Sequence, residues 1–285
     1  MADVSVETRL RTLAQLIRDA ECREHDGVLK VGVDLGTANI AMVVVDRHNA
    51  PVTGITYPSS VVKDGIVVDY HVATRVVKQL KQQLETRLGQ PLTHAATAIP
   101  PGISEGNTKV IANVVESSGL QVTHVIDEPV AAATALNIRN GAVVDVGGGT
   151  TGLSVLRNGK VLFSADEPTG GTHMTLVLAG ALGLSYADAE QLKHAPAQEA
   201  DIFPLVRPVV EKMACLTRDW LTSYNVRNIY VVGGASSFSE FPGVFRKVTG
   251  KNIIPAVEPL LVTPLGIAMQ AAPSMSTPYR SREEA

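Results

Sequence analysis

The sequence predicts an α/β protein built as two lobes around a cleft, and two observations carry that expectation. The first is a repeated phrase, Val31-Gly32-Val33-Asp34-Leu35-Gly36-Thr37, echoed by Ala142-Val143-Val144-Asp145-Val146-Gly147-Gly148-Gly149-Thr150-Thr151. In each copy a short apolar run holds one aspartate and breaks into a glycine turn carrying a threonine. A second apolar run follows each time, at 40–45 and at 153–156. Each copy therefore predicts two strands joined by a tight turn. The second observation is the separation of the two aspartates, which leaves room for one lobe of a duplicated structure between them.

The elements follow in chain order. Residues 5–22 predict a helix with Val6, Leu10, Leu13 and Ile17 on one face, and His25-Asp26-Gly27 breaks it. Lobe I is expected over 27–137 and 261–272, beginning with strands at 29–35, 40–46 and about 52–57. Asp64-Gly65 marks a turn. Helix 69–88 carries Val72, Val76, Leu80 and Leu84 at a spacing of four. Strand 95–99 stops at Pro100-Pro101-Gly102, helix 104–118 stops at Ser118-Gly119, and strand 122–126 runs into Glu128-Pro129. The alanine-rich helix 130–136 suits either a closely packed connector between lobes or an ordinary buried helix. Lobe II is expected over 138–260, with helices at 173–183, 185–194 and 204–224 and a strand at 228–232 before Gly233-Gly234-Ala235. Helix 263–271 closes the fold, and the polar tail 273–285 is expected to be mobile.

Composition narrows the class. The chain has 285 residues, 45% of them hydrophobic and 19% charged, enough for one large domain or two lobes. A formal charge of −3 gives no electrostatic footprint for nucleic acid or an anionic membrane. Two cysteines, Cys22 and Cys215, make neither a disulfide framework nor a metal spacing, which points to a reducing cytoplasm. The seven histidines form no ligand cluster. No apolar run reaches the roughly 18–20 residues of a membrane span, and the N-terminus lacks the basic-then-apolar order of a secretory signal.

Asp34 and Asp145 carry the chemistry. A carboxylate inside an apolar strand is costly or protonated unless it is partnered. Taken singly, each suits a hydrogen-bonded structural aspartate. Their matched settings suggest instead two carboxylates meeting at a cleft, where they repel unless a cation intervenes. Mg²⁺ binds through waters, a few carboxylates and substrate phosphates. Gly36, Gly147, Gly148 and Gly149 would offer backbone amides that a phosphate can approach without meeting a Cβ, and Thr37, Thr150 and Thr151 would offer hydroxyls. The expected ligand is a polyphosphate with its cation.

Residues 31–46 resemble the first phosphate segment of the actin, sugar-kinase and heat-shock-chaperone ATPase superfamily, and 142–160 resemble its second. Ala98-Ile99-Pro100 with the run Ile126-Asp127-Glu128-Pro129-Val130-Ala131-Ala132-Ala133 is similar to its first connecting region. Val231-Val232-Gly233-Gly234-Ala235-Ser236 is similar to its adenosine segment, and Thr263-Pro264-Leu265-Gly266-Ile267-Ala268 to its final connector. The resemblance implies two ribonuclease-H-like lobes of the actin-like ATPase fold, with reduced outer subdomains, around an ATP or ADP site. It places Asp34 and Asp145 beside hydrated Mg²⁺, Glu128 where the family orients the attacking water, and Glu190 and Lys193 at the ribose. Gly233 and Gly234 fall at the adenosine, and Gly170-Gly171 at the glycine pair before a helix. Without the family, Glu190 and Lys193 would equally suit a solvated helix face, and the glycine pair a simple loop.

Two departures matter. Many relatives place an acidic residue where this chain has Gly152, and the span 47–94 is too short for the insertion that carries the chaperones' catalytic lysine. Both threaten turnover more than binding, since phosphoryl transfer depends on positioning. A weak ATPase and a non-hydrolysing nucleotide-binding scaffold both stay open. The chain also stops after the last connector, so a peptide-binding domain is not expected.

A tighter resemblance rests on 64–70, 93–97 and Ser164-Ala165-Asp166-Glu167-Pro168-Thr169-Gly170-Gly171 together with the compact length. By these the chain is similar to the bacterial ethanolamine-utilisation protein J family over about 28–272. That family implies a cytoplasmic, chaperone-like protein associated with a metabolic microcompartment, whose partner is a protein client or a microcompartment component. Helix 5–22 then has two readings, a shell-targeting segment or a helix packed on lobe I. An actin-like filament former and a sugar kinase are weaker alternatives, because the outer lobes are short and no substrate-binding insertion is apparent. Client and oligomeric state are not legible.

Overall fold

The computed structural model describes residues 5–25 and 27–273. Asp26 and all but the first residue of the tail expected at 273–285 lie outside the described residues. The chain opens with α1 (Val6–Asp19), capped by the Ser5 hydroxyl, which accepts from the Thr8 amide at 3.2 Å. It ends earlier than the expected 22, because Ala20 takes a left-handed conformation whose amide and that of Glu21 return to the carbonyls of Ile17 and Leu16.

The first lobe comprises β1 (Leu29–Leu35), β2 (Asn39–Asp46), β3 (Pro51–Pro58), β4 (Val62–Lys63), β5 (Ile66–Val67), α2 (Tyr70–Leu88), β6 (His94–Ile99), α3 (Glu105–Ser117) and β7 (Gln121–Asp127). Its sheet runs β3-β2-β1-β6-β7, antiparallel through the two hairpins and parallel after the helical crossovers. Asp64 and Gly65 both have positive φ, as a two-residue turn of a small β4–β5 hairpin requires.

After α4 (Glu128–Ala135) the second lobe repeats the plan. It contains β8 (Gly141–Val146), β9 (Thr151–Arg157), β10 (Lys160–Glu167), α5 (Gly171–Leu182), α6 (Tyr186–Lys193), α7 (Glu199–Trp220), β11 (Asn228–Val232), α8 (Phe241–Thr249) and β12 (Asn252–Pro255), and α9 (Pro259–Gln270) follows. The sheet order β10-β9-β8-β11-β12 matches the first lobe position for position. Three of these elements go beyond the sequence expectation. β10 opens with exposed Val161 and Leu162, which give no core-facing alternation. α8 carries Pro242-Gly243, a turn signal that here falls in the first helical turn, where proline's missing N–H costs nothing. Short β12 follows Gly250, which closes α8 with positive φ. α7 begins at Glu199 rather than 204, because Pro204 and Pro208 sit inside it without ending it.

Strand alternation sets which residues face which layer. In β1, Val31, Val33 and Leu35 enter a core with α2 and α3; in β8, Ala142, Val144 and Val146 enter one with α5 and α7. The opposite faces, carrying Gly32 and Asp34 in β1 and Val143 and Asp145 in β8, look inward to α4 and α9. A third core joins the lobes: Leu10 and Leu13 of α1, Val43 and Val45 of β2, Ala132 and Ala133 of α4, Val143 of β8, and Val262 and Leu265 of α9. The apolar face of α1 is thus used inside the protein, with Leu13 and Ile17 resting against Gly54 of β3. Among the described residues no helix is long and apolar enough to cross a membrane.

Small residues hold the centre together. A Cβ at Gly266 of α9 would fall on the Ala131 carbonyl of α4, and one at Gly32 would fall on the Ala268 backbone, with Pro264 O only 2.9 Å away. The alanine-rich helix is therefore closely packed because α9 crosses it backbone to backbone. Gly266→Ala forces these helices apart and should destabilise the protein by about 1–3 kcal/mol, read as a lowered urea midpoint. An unchanged midpoint would show that the crossing is not a tight constraint.

Candidate functional site

The two glycine turns face one another. An ideal Cβ at Gly148 would lie 2.8 Å from the Ala38 Cβ, and one at Gly149 would lie 3.0 Å from the Asp64 backbone. Loop 147–150 of the second lobe thus presses against loop 36–38 and the β4–β5 turn of the first. Behind it, the Gly171 amide donates to Gly147 O at 2.9 Å and the Thr172 amide to Gly148 O at 2.7 Å. These first amides of α5, which lack partners within the helix, turn the loop carbonyls away from the cleft. The amides of Gly148 and Gly149, on the opposite edges of those peptide planes, are left facing it.

The walls enclose about 240 Å³. Of the residues singled out from sequence, Asp34, Gly36, Thr37, Glu128, Asp145, Gly147, Gly148, Gly149, Thr150, Gly171, Glu190, Lys193, Gly233 and Gly234 all line it. Two do not. Thr151 is fully buried and its hydroxyl donates to Thr169 O at 2.5 Å, because strand alternation turns it into the sheet. Gly170 lies behind the loop, where a Cβ would come within 2.6–2.7 Å of the backbone of residues 147–149. Its contribution is close packing rather than a group offered to a ligand.

Asp34, Glu128 and Asp145 line this space, and Asp166 lies near enough for the charge of Asp145 to act on it. Asp34 on β1 and Asp145 on β8 approach from opposite sheets, and Glu128 opens α4 between them. Burial, reinforced by the charge of Asp145, pushes Asp34 up to about 7. Burial pushes Asp145 to about 6, opposed by the Thr263 hydroxyl, which donates to its Oδ2 at 2.5 Å. Glu128 is driven well above its ordinary value by burial and then by Asp145, Asp34, Asp166 and Asp127. Asp166 on β10 rises to about 7, chiefly through burial, against a hydrogen bond from Thr150. Gly233, at φ +87°, is required beside them, since a Cβ there would meet Asp145 Oδ1 and the Val146 carbonyl.

Such a set fits a cation better than an empty cleft, because burial raises all four carboxyls and neighbouring charges raise Asp34, Glu128 and Asp166 further, and a positive charge offsets both. No group of three or more His, Cys, Asp or Glu among the described residues is arranged to hold a metal by itself. An ion between Asp34 and Asp145 would therefore complete its shell with water and phosphate oxygens, the habit of Mg²⁺.

On α6, Glu190 and Lys193 form a closed network. The Lys193 ammonium donates to Glu190 Oε2 at 2.7 Å, to the Thr175 hydroxyl at 2.8 Å and to Gly171 O at 3.2 Å. Its three protons are thereby used. Burial works to raise Glu190, but hydrogen bonds from His194, Lys193 and Thr175 outweigh it and hold the carboxyl at about 2. Glu190 is therefore an acceptor on the cleft wall, whereas Lys193 orders the wall and has no proton to spare.

Comparison with known proteins decides the family. The chain is 40% identical over 266 residues to ethanolamine utilization protein EutJ of Escherichia coli (strain K12), covering 91% of this chain and 92% of that one. The crystal structure of ethanolamine utilization protein EutJ from Carboxydothermus hydrogenoformans superposes with a TM-score of 0.88 at 45% identity, covering 93% and 97% of the two chains. This chain belongs to the EutJ family. Family models for the MreB/Mbl protein and for cell division protein FtsA match residues 55–179 and 142–271. The structure of MreB 5 of Spiroplasma citri bound to AMPPNP matches at TM-score 0.67 and 16% identity, covering 85% and 95% of the two chains, which shows the shared actin-like fold.

Several cleft residues of this EutJ-family chain escaped sequence reading. Thr263 lay within a motif already singled out, but its bond to Asp145 needs α9 folded back across the lobes. Asp166 was quoted only as part of the family resemblance. His194, which lines the cleft and pairs with Glu190 at 3.0 Å, gave no signal beyond its i+4 spacing.

The acid set makes the ligand-free protein pH-sensitive. Carboxyls raised in the folded state bind protons that the unfolded chain has released, so their contribution is present at low pH and lost as pH climbs from about 4 to about 7. The metal- and nucleotide-free protein should show a lower urea midpoint at pH 8 than at pH 5.5. Asp34→Asn should narrow that gap, and an unaltered gap would remove the acids as its cause.

Proposed function

We propose that this chain is an adenine-nucleotide-binding clamp serving ethanolamine utilisation, in which ATP and Mg²⁺ draw the lobes together and the change of state acts on a protein client or microcompartment component. The observation that carries the reading is the face-to-face pair of glycine turns with Asp34 and Asp145 at their base. Amides of loop 147–150 and the turn at 36–37 would hold the phosphates, Asp34 and Asp145 the cation through its waters, and Glu128 a water near the outermost phosphate. Glu190 would accept from the ribose, and Gly233-Gly234 would leave room for the adenosine. Bound Mg²⁺ would supply charge neutralisation on the phosphate oxygens. Supporting this are EutJ family membership and the shared fold with an AMPPNP-bound MreB.

One feature favours binding over rapid turnover. The only basic side chains along the described cleft are Lys193, whose protons are used, and His194. Phosphoryl transfer relies on cations to stabilise the transferring group. This clamp therefore turns over slowly or serves as a non-hydrolysing module.

Titration calorimetry of ATP and ADP, with and without Mg²⁺, tests the reading. Asp34→Ala and Asp145→Ala should each weaken Mg-ATP binding by about tenfold or more, the scale of one charge-assisted contact. Neither should unfold the chain, since each removes one of two repelling charges. Equal affinities across the three proteins would refute the clamp.

A further inference from the structure

The sheet of the second lobe has an end remote from the cleft. Gly141, which opens β8, lies about 13 Å along the strand from Asp145. The segments that meet there, 138–144, 153–165 and 220–239, carry Arg139, Arg157, Lys160 and Arg227 but no Asp or Glu. In a chain of net charge −3 this is a basic pole. It holds a second cavity of about 210 Å³, whose wall includes Arg157, Arg227, Asn140 and Asn228 beside Leu162 and Tyr224.

The duplication shows what sets this end apart. Register opposes Asp34 to Ala41 in the first lobe and Asp145 to Gly152 in the second, so Asp46 of β2 and Arg157 of β9 occupy matching positions. Asp46 is satisfied inside its own lobe. Its Oδ1 accepts from the amides of His48 and Ala50 at 2.8 and 2.9 Å, and its Oδ2 from the Arg23 guanidinium at 2.9 Å. Arg157 inverts the charge and has no such counterpart. Neither its guanidinium nor that of Arg227 makes an ion pair or hydrogen bond to another described residue.

The asparagines add donors. Asn140 Oδ1 accepts from the Asn158 backbone amide at 2.9 Å, which fixes the orientation of that side chain, because a backbone N–H can only donate. Asn228 Oδ1 accepts from Asn252 Nδ2 at 3.1 Å. In both residues the oxygen is taken and the NH₂ group is left over. Two guanidinium groups and two amides thus face a cavity that no described carboxylate lines. Leu162 and Tyr224 supply an apolar flank, and the tyrosine ring is held by stacking on Phe163, with ring centroids 5.2 Å apart.

We infer that this pole binds the phosphate group of a small phosphate monoester, at a site separate from the nucleotide cleft. Arginine's planar fork matches phosphate oxygens in pairs, and two permanent positive charges match a dianion. A carboxylate would answer only one of them. The apolar flank favours an ester with a compact organic body over the bare ion.

Calorimetry with phenyl phosphate, inorganic phosphate and benzoate tests the site. Phenyl phosphate should bind most tightly, since it alone combines a dianion with a flat apolar body. Its affinity should rise between pH 5 and pH 7.5, as the second phosphate proton is lost near a pKa of about 6 while both arginines stay charged. Arg157→Gln and Arg227→Gln should each weaken it by about tenfold, the worth of one charge-assisted hydrogen bond, with Tm unchanged. Equal phenyl phosphate affinity in the unaltered protein and both variants would put the binding elsewhere, the cleft included, and overturn the site. So would benzoate binding as tightly as phenyl phosphate, or no binding by the unaltered protein. A phosphoserine peptide that outcompetes phenyl phosphate would overturn the small-molecule assignment and give the pole to a partner protein.

Discussion

The cleft is organised around two apposed aspartates held away from water. Asp34 and Asp145 sit on the inward faces of two matching sheets, near enough that the charge of one raises the other. That placement follows from strand alternation: the residues that fill each lobe's core are the odd members of β1 and the even members of β8, and the aspartates occupy the remaining face. Everything close to Asp145 adapts to it. Thr263 donates to its Oδ2, and glycine stands at 233 because no side chain fits against its Oδ1.

The same aspartate ties the lobes mechanically. α9 packs on β1, β2 and β6 of the first lobe, yet its Thr263 reaches Asp145 of the second. α9 also crosses α4 through Gly266 and Ala131 at backbone contact. The joint between the lobes therefore includes one of the raised acids. Packed backbones with no side chains between them transmit displacement rather than absorb it, because cores at this density have few voids to take up a shift.

Much of this was legible in the sequence, for a definite reason. Strands 29–35 and 228–232 matched the structure residue for residue, and the paired aspartate–glycine–threonine phrases located both cleft loops, since apolar runs and glycine turns act locally. The duplication was visible only in its first hairpins. β10, α8 and β12 complete it, but their signals are an exposed edge, a proline–glycine pair and a four-residue strand, each decided by neighbours distant in sequence. Side-chain direction was the other blind spot. Thr150 and Thr151 are adjacent and chemically identical, yet one lines the cleft and the other is spent on Thr169. Lys193, expected at the ribose, lines the cleft and donates to Glu190, Thr175 and Gly171 of its own wall, bonds that the sequence did not show.

In the proposed clamp these constraints fix what the nucleotide can accomplish. A ligand shifts two conformations only by its difference in affinity for them. Here the difference arises where both lobes must contribute at once: phosphates between two loops, and a cation between two carboxylates from different sheets. Separating the lobes removes half of each set, so the energy of relieving the acids is available only in the closed form. By linkage, a partner protein that prefers the closed form must tighten nucleotide binding by the same factor that nucleotide tightens the partner. Rapid hydrolysis is not needed for such coupling, and in the proposed clamp the Lys193 ammonium is committed to the cleft's own wall, which suits holding a state over cycling through it.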